Sequence, residues 1–254
     1  MILFLKKLHN YLLIFFGGVW YFVLWVPLNW FALKQSRYNG MIYTRRIWAF
    51  LSSLCVGILY KFEFEEPIDW SRPYVICSNH MSNLDTSMIC MLVPHANYSI
   101  MGKQELVDGM VTGIFFKTVD IPVNRDSKMS SFRAFKAAGD MLDNERSVVM
   151  FPEAGIADQY PPTVQEFKNG PFRLAIDNGV MVLPVTSTNT WRIMWDDGFK
   201  FGTRPGVCKI HVHKPIATVI LSVDDANALK TQVRDLINQK FNEINGVKPA
   251  AVYS

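Results

Sequence analysis

Tyr74-Val75-Ile76-Cys77-Ser78-Asn79-His80-Met81-Ser82-Asn83-Leu84-Asp85 is the stretch on which the reading of the fold turns. It opens as a short β-like run, breaks at a polar Ser-Asn-His turn, and leads into a helical stretch over about residues 83–92. The same alternation continues downstream. Residues 98–101 read as a second strand, 104–117 as helical pieces, and 119–123 as a third strand whose Pro122 suits a sheet edge or a strand end. Residues 130–144 carry helical spacing at Phe132, Phe135, Ala138 and Leu142. A buried strand over 147–151 precedes a long loop, 152–169, and a helix over 171–177 stops at Gly179. Strands over 180–185 and 207–212 and an amphipathic helix over 224–244, with Asp224 and Asp225 at its start, complete the pattern. Strands alternating with helices predict an α/β domain, a largely parallel sheet flanked by helices, over residues 63–254.

Upstream the pattern differs. Half of the 254 residues are hydrophobic, and the excess sits at the N-terminus. No charged residue occurs from Asn10 to Leu33, and about 20 apolar residues suffice to cross a bilayer as a helix. Trp20, Tyr21, Trp25 and Trp30 supply amphipathic rings that favour the headgroup level. Lys6 and Lys7 precede the run, while Lys34, Arg37, Arg45 and Arg46 follow it. Cationic flanks favour the cytoplasmic side, and here both ends are cationic. Residues 1–62 are therefore expected to form a two-helix membrane element on the cytoplasmic face of the inner membrane. The first helix either dips into one leaflet, aided by Gly17, Gly18 and Pro27, or crosses and is followed back by residues 41–60 after a turn at Asn39-Gly40. Arg45 and Arg46 near the start of the second helix favour the one-leaflet arrangement.

The net charge of +4 suits an anionic membrane surface and, scattered as it is, excludes a nucleic-acid-binding reading. Cys55, Cys77, Cys90 and Cys208 lie in apolar stretches without a C-x-x-C pair, as expected of free thiols. His211 and His213 share one strand face, yet with no evident third donor they read as a polar face and no metal ligand set is assigned. The acidic run 63–66 reads as a solvated linker face.

Parallel α/β sheets place chemistry on loops beyond the carboxyl ends of their strands. In the first such loop, a carboxylate at Asp85 is placed to curl back onto His80. It would fix the imidazole tautomer and favour the imidazolium formed when the other nitrogen takes a proton. The pair suits deprotonation of a hydroxyl. Arg125, after the third strand, is an anion clamp in the making. Phe151-Pro152-Glu153-Ala154-Gly155 combines a rigid proline, a carboxylate and small residues where a ligand can approach the backbone.

Together these motifs resemble the glycerophosphate acyltransferases, in particular the bacterial 1-acylglycerol-3-phosphate acyltransferases. Asn79, His80, Ser82 and Asp85 match the family's Asn-His-x-Ser-x-x-Asp motif, and Lys103-Gln104-Glu105-Leu106 is similar to its Lys-x-Glu-Leu segment. Arg125 falls at the arginine of the second motif, Phe151-Pro152-Glu153 opens the third, and the segment with Pro184 resembles the fourth. The resemblance implies an acyltransferase moving a fatty acyl chain from an acyl carrier protein or coenzyme A thioester to lysophosphatidic acid, with membrane lipids around it and no cofactor. It makes His80 the general base and Asp85 its orienting partner. Asn79, Ser82, Lys103, Arg125, Phe151, Pro152, Glu153, Ala154, Gly155, Lys168 and Pro184 become substrate-binding residues, the cations for phosphate. The third motif departs from the family pattern: Ala154-Gly155-Ile156 stands where Gly-Thr-Arg is usual. The acceptor therefore stays open between lysophosphatidic acid and another lyso-lipid. A non-catalytic lipid-binding protein and a metal hydrolase are the remaining alternatives.

Overall fold

The computed structural model describes residues 1–94 and 97–246; the last residues of the expected α/β domain, 247–254, lie outside them. Seven strands form one sheet: β1 (Ile58–Phe64), β2 (Tyr74–Ser78), β3 (Tyr98–Lys103), β4 (Ile121–Val123), β5 (Ser147–Met150), β6 (Met181–Ser187) and β7 (Gly206–Val212). Their order is β1-β7-β6-β2-β5-β3-β4, parallel throughout except between β6 and β7. Pro122 lies in β4, an edge strand, where its missing N–H costs no inner ladder bond.

Strand β1 has no counterpart in the sequence reading, which assigned residues up to 60 to a membrane helix. It pairs along its whole length with β7, Ile58 opposite Gly206 through Phe64 opposite Val212. It also runs across the expected 62/63 boundary. Its exposed, mixed sequence Ile-Leu-Tyr-Lys-Phe-Glu-Phe resembles no buried parallel strand because it closes an edge.

Nine helices are described: α1 (Ile2–Val23), α2 (Trp25–Ala32), α3 (Tyr38–Cys55), α4 (Leu84–Leu92), α5 (Gly113–Phe116), α6 (Lys128–Asp143), α7 (Gly170–Asp177), α8 (Thr190–Ile193) and α9 (Ala226–Asn245). The period-2 alternation of the strands sorts the core into two layers. Tyr74, Ile76, Val149, Leu183 and Val185 face one layer together with residues of α3 and α4. Val75, Cys77, Val148, Met150 and Val182 face the other, with α6, α7 and α9.

The N-terminal element has two arms. The first bends at Leu24, where α1 gives way to α2, and not at Gly17-Gly18, which sit inside α1. The turn between the arms is the 3-10 segment Gln35–Arg37, one step earlier than Asn39-Gly40. Gly40 instead lies on α3, where a Cβ would come within 2.5 Å of the Phe31 ring, so its smallness lets α2 approach α3.

Among the described residues, α1 is the one helix long and apolar enough to cross a membrane, and 6% of its most apolar window is buried. Helix α3 is two-faced. Tyr43, Ile47, Phe50 and Leu54 are exposed along one stripe, while Met41, Ile42, Arg45, Ala49 and Ser52 are buried along the other. Arg45, read from the sequence as one of the cations flanking the apolar run, is therefore buried in the protein. It forms a 2.6 Å ion pair with Asp120 inside the protein, its guanidinium 4.9 Å from the Tyr98 ring centroid. Asp120 also accepts the backbone N–H of Ile100 at 3.0 Å. One buried carboxylate thus ties α3 to β3 and to the turn before β4.

Candidate active site

Strands β6, β2, β5, β3 and β4 are consecutive neighbours and all parallel, so their carboxyl ends share one rim of the sheet. Five loops, carrying Ser187, His80, Phe151, Lys103 and Arg125, therefore meet there.

The centre of the rim is the His80–Asp85 pair. Asp85, in the first turn of α4, is 0% exposed. One of its oxygens, Oδ2, accepts from the backbone N–H of Met81 at 2.8 Å, that of Ser82 at 2.9 Å, and His80 Nδ1 at 3.2 Å. The other, Oδ1, accepts from Ser187 Oγ at 2.7 Å and Thr190 Oγ1 at 2.8 Å. A carboxylate only accepts, so Nδ1 carries the proton and Nε2 keeps its lone pair. The His80 ring stacks on Phe151 with centroids 4.1 Å apart, and its side chain is 17% exposed. Packing on one side and a hydrogen bond on the other hold the imidazole while one nitrogen stays available for a proton.

Glu153 joins the third loop to the first. Its Oε1 accepts the His80 N–H and its Oε2 the Gln165 N–H, both at 2.9 Å. Burial raises its pKa to about 7 against the pull of these two donors and of the His80 charge. Ala154, next in the chain, has φ +69°, in the left-handed region where a side chain costs about 1–2 kcal/mol.

A cavity of about 300 Å³ is lined in part by Arg125, Phe135, Phe151, Pro152, Ala154 and Lys168; His80, Asp85 and Glu153 are not in its wall, and Phe151, stacked on the His80 ring, is what joins it to the histidine. Its wall is mostly apolar, and its size is at the small end for ligand pockets. Three cations surround the third loop. Arg125 Nη1 donates to the Ala154 carbonyl, and Lys168 donates its backbone N–H to the Pro152 carbonyl at 2.9 Å. Lys103 Nζ lies 4.0 Å from the place a Cβ on Gly155 would occupy. An anionic group entering beside Ala154 and Gly155 meets positive charge from two strand ends, at Lys103 and Arg125, and from Lys168 at the close of the long loop.

Asn79, Ser82 and Pro184 are placed in the framework behind the rim. They are sealed within the framework and do not line the cavity. Asn79 exchanges two hydrogen bonds with the Ser187 backbone, 2.9 and 2.8 Å, locking the end of β2 to the end of β6. Ser82 Oγ accepts the Leu84 N–H at 3.1 Å and so shapes the start of α4. Pro184 sits in β6 opposite Cys77, and its carbonyl accepts the His213 N–H at 3.0 Å. Ser187, Thr190 and Gln165 are the contributors that sequence reasoning missed. The one signal for the first two was the run Thr186-Ser187-Thr188-Asn189-Thr190 directly after an apolar strand.

The model of a family described as Acyltransferase matches residues 60–188. The 1-acyl-sn-glycerol-3-phosphate acyltransferase alpha of Mus musculus is 28% identical over 181 residues, 69% of this chain and 61% of that protein. The 1-acyl-sn-glycerol-3-phosphate acyltransferase of Saccharomyces cerevisiae is 27% identical over 210 residues, 82% of this chain and 67% of that protein. The chain thus spans about three fifths of the mouse relative's length. The crystal structure of the 1-acyl-sn-glycerophosphate (LPA) acyltransferase, PlsC, of Thermotoga maritima shares the fold at a TM-score of 0.79, with 19% identity over 98% of this chain and 100% of that one.

Proposed function

The chain belongs to the Acyltransferase family, and from that premise we propose that it is a 1-acyl-sn-glycerol-3-phosphate O-acyltransferase, carrying a fatty acyl group from a thioester to the free hydroxyl of lysophosphatidic acid to make phosphatidic acid. The observation that carries the reading is the His80 ring, held through Nδ1 by Asp85 and stacked on Phe151, which in turn lines a cavity together with Arg125 and Lys168. Nε2 takes the proton of the acceptor hydroxyl as the oxygen attacks the thioester carbonyl. The tetrahedral oxyanion collapses, the carbon–sulfur bond breaks, and the thiolate leaves with the proton returned by the imidazolium. Asp85, already bonded to the other nitrogen, stabilises the imidazolium between these steps. Lys103, Arg125 and Lys168 hold the acceptor phosphate. The bilayer, met by α1 and the exposed stripe of α3, keeps both lipids at the rim. The reaction runs on the cytoplasmic face of the membrane, where acyl carrier protein or coenzyme A thioesters are the co-substrates and no further cofactor is required.

The test is a panel of lyso-lipid acceptors with and without a phosphomonoester, assayed with both donors on purified, folded protein. Transfer to lysophosphatidic acid that vanishes in His80→Ala supports the reading. Activity near wild type in that variant removes His80 as the base. Preference for an acceptor lacking phosphate removes the cationic clamp.

A further inference from the structure

One strand beyond β6, on the α9 side of the sheet, β7 carries a pair of histidines. Strand alternation turns Cys208, Ile210 and Val212 into the core and His211 to the opposite face. His213, one step beyond the strand, follows His211. The donor that sequence spacing did not reveal comes from the segment after β1. Because β1 runs parallel to β7, Glu65 is delivered beside both rings. Its Oε1 lies 2.9 Å from His211 Nε2 and 3.0 Å from His213 Nδ1. All three ligand atoms lie within 4.8 Å of one another. Glu65 is exposed yet tied to the sheet: its Oε2 accepts the Lys214 N–H at 3.0 Å, and its own N–H donates to the Val212 carbonyl at 3.0 Å.

We propose that Glu65, His211 and His213 form a binding site for a divalent transition metal ion of the zinc class, at the junction of β1 and β7. Two imidazoles and a carboxylate are the donor types such an ion takes, with the fourth position left to water. His213 has the support metal-bound histidines need. Its remote nitrogen, Nε2, meets the buried Thr186 hydroxyl at 2.8 Å, which fixes the ring and accepts the N–H once Nδ1 turns to a metal. His211 Nδ1 is buried with no partner among the described residues, so the proton moved there from Nε2 displaces no existing bond but finds no acceptor, and the outer-shell support of the site rests on His213. Both rings switch tautomer and two lone pairs converge on the ion, with no net proton released. Tetrahedral coordination asks for ligand atoms ~3.3 Å apart. The two short edges need to open by a few tenths of an ångström, which a one-third-exposed Glu65 side chain can supply, and the His211–His213 edge, within 4.8 Å, has to reach the same length. Metal here staples the segment after β1 to the sheet, and takes no part in acyl transfer.

Equilibrium dialysis of the full-length protein against Zn²⁺, followed by elemental analysis, tests the site without any lipid substrate. One ion per chain is expected, with a tetrahedral visible spectrum when Co²⁺ replaces Zn²⁺ and a Zn²⁺-dependent rise in melting temperature. Glu65→Gln and His211→Ala, both at partly exposed positions, should each weaken binding at least about tenfold and abolish the melting shift. Thr186→Val should weaken it while leaving all three donors in place. Failure of the wild-type protein to bind stoichiometrically, or binding by the Glu65→Gln and His211→Ala variants at wild-type affinity, overturns the proposal and leaves a proton-bridged cluster.

Discussion

Glu153 holds His80 by its backbone: the carboxylate of the third loop accepts the N–H of the histidine in the first at 2.9 Å. The same carboxylate reaches across to Gln165, near the end of the long loop. Two loops that leave neighbouring strands β2 and β5 are thus fastened by one side chain buried between them.

That side chain titrates near neutrality. Its folded pKa of about 7 lies above the ordinary glutamate value of 4.5, so the folded state binds more protons between the two. Stability from this group is therefore undiminished below pH 4.5, falls as pH rises toward 7, and is lost above it. The loss is on the order of 3 kcal/mol. Denaturant titrations of wild type and Glu153→Gln from pH 5 to 8 should show the wild-type curve falling relative to the variant. Parallel curves would mean that Glu153 ionises in the folded state as it does in water.

Asp85 should matter through orientation. Asp85→Asn replaces an acceptor with an amide that must turn an N–H toward one of five donors, and kcat should drop by about 10²–10⁴-fold. Ser187→Ala combined with Thr190→Val leaves the carboxylate but strips the Oδ1 partners. A loss of about 1–3 kcal/mol in stability is expected, with kcat reduced and KM for the acceptor little changed. A KM effect without a kcat effect would place this network in binding.

Ala154 occupies a left-handed backbone where the family's third motif usually has glycine. Ala154→Gly should relieve that conformation and raise stability by about 0.5–1 kcal/mol, net of the extra freedom glycine brings to the unfolded chain. Thermal unfolding reads it directly; a fall in melting temperature would show that the Ala154 methyl earns its place through packing at the cavity wall.

The Arg45–Asp120 pair should lock the N-terminal element onto the sheet. Removing one partner leaves a charge buried without compensation, so Asp120→Ala should cost about 3–5 kcal/mol. Arg45→Met with Asp120→Leu should recover much of that. If the single variant is as stable as wild type in detergent, α3 is held by its apolar face alone.

Short-range pattern carried much of this protein. Alternating apolar strands and amphipathic helices announced the α/β sheet, because alternation is local and each strand shows its own two faces. His80, Asp85, Arg125 and Glu153 were visible as residues at strand ends, since parallel topology brings such ends to one rim whatever their spacing, while Lys103 was found through the family resemblance alone. The uncharged run at the N-terminus was equally plain, because length and apolarity suffice to mark a membrane-seeking helix. The rest depended on registration across the whole chain. Asp85 meets Ser187 across 102 residues, Arg45 meets Asp120 across 75, and Glu65 meets His213 across 148. Which polar groups find each other at such separations is set by strand order and helix packing, and each pairing lowers the free energy only once those are in place. Tertiary structure alone therefore decided that Asn79 and Ser82 build the rim and do not line it, that Arg45 points inward, and that β1 and its Glu65 belong to the sheet.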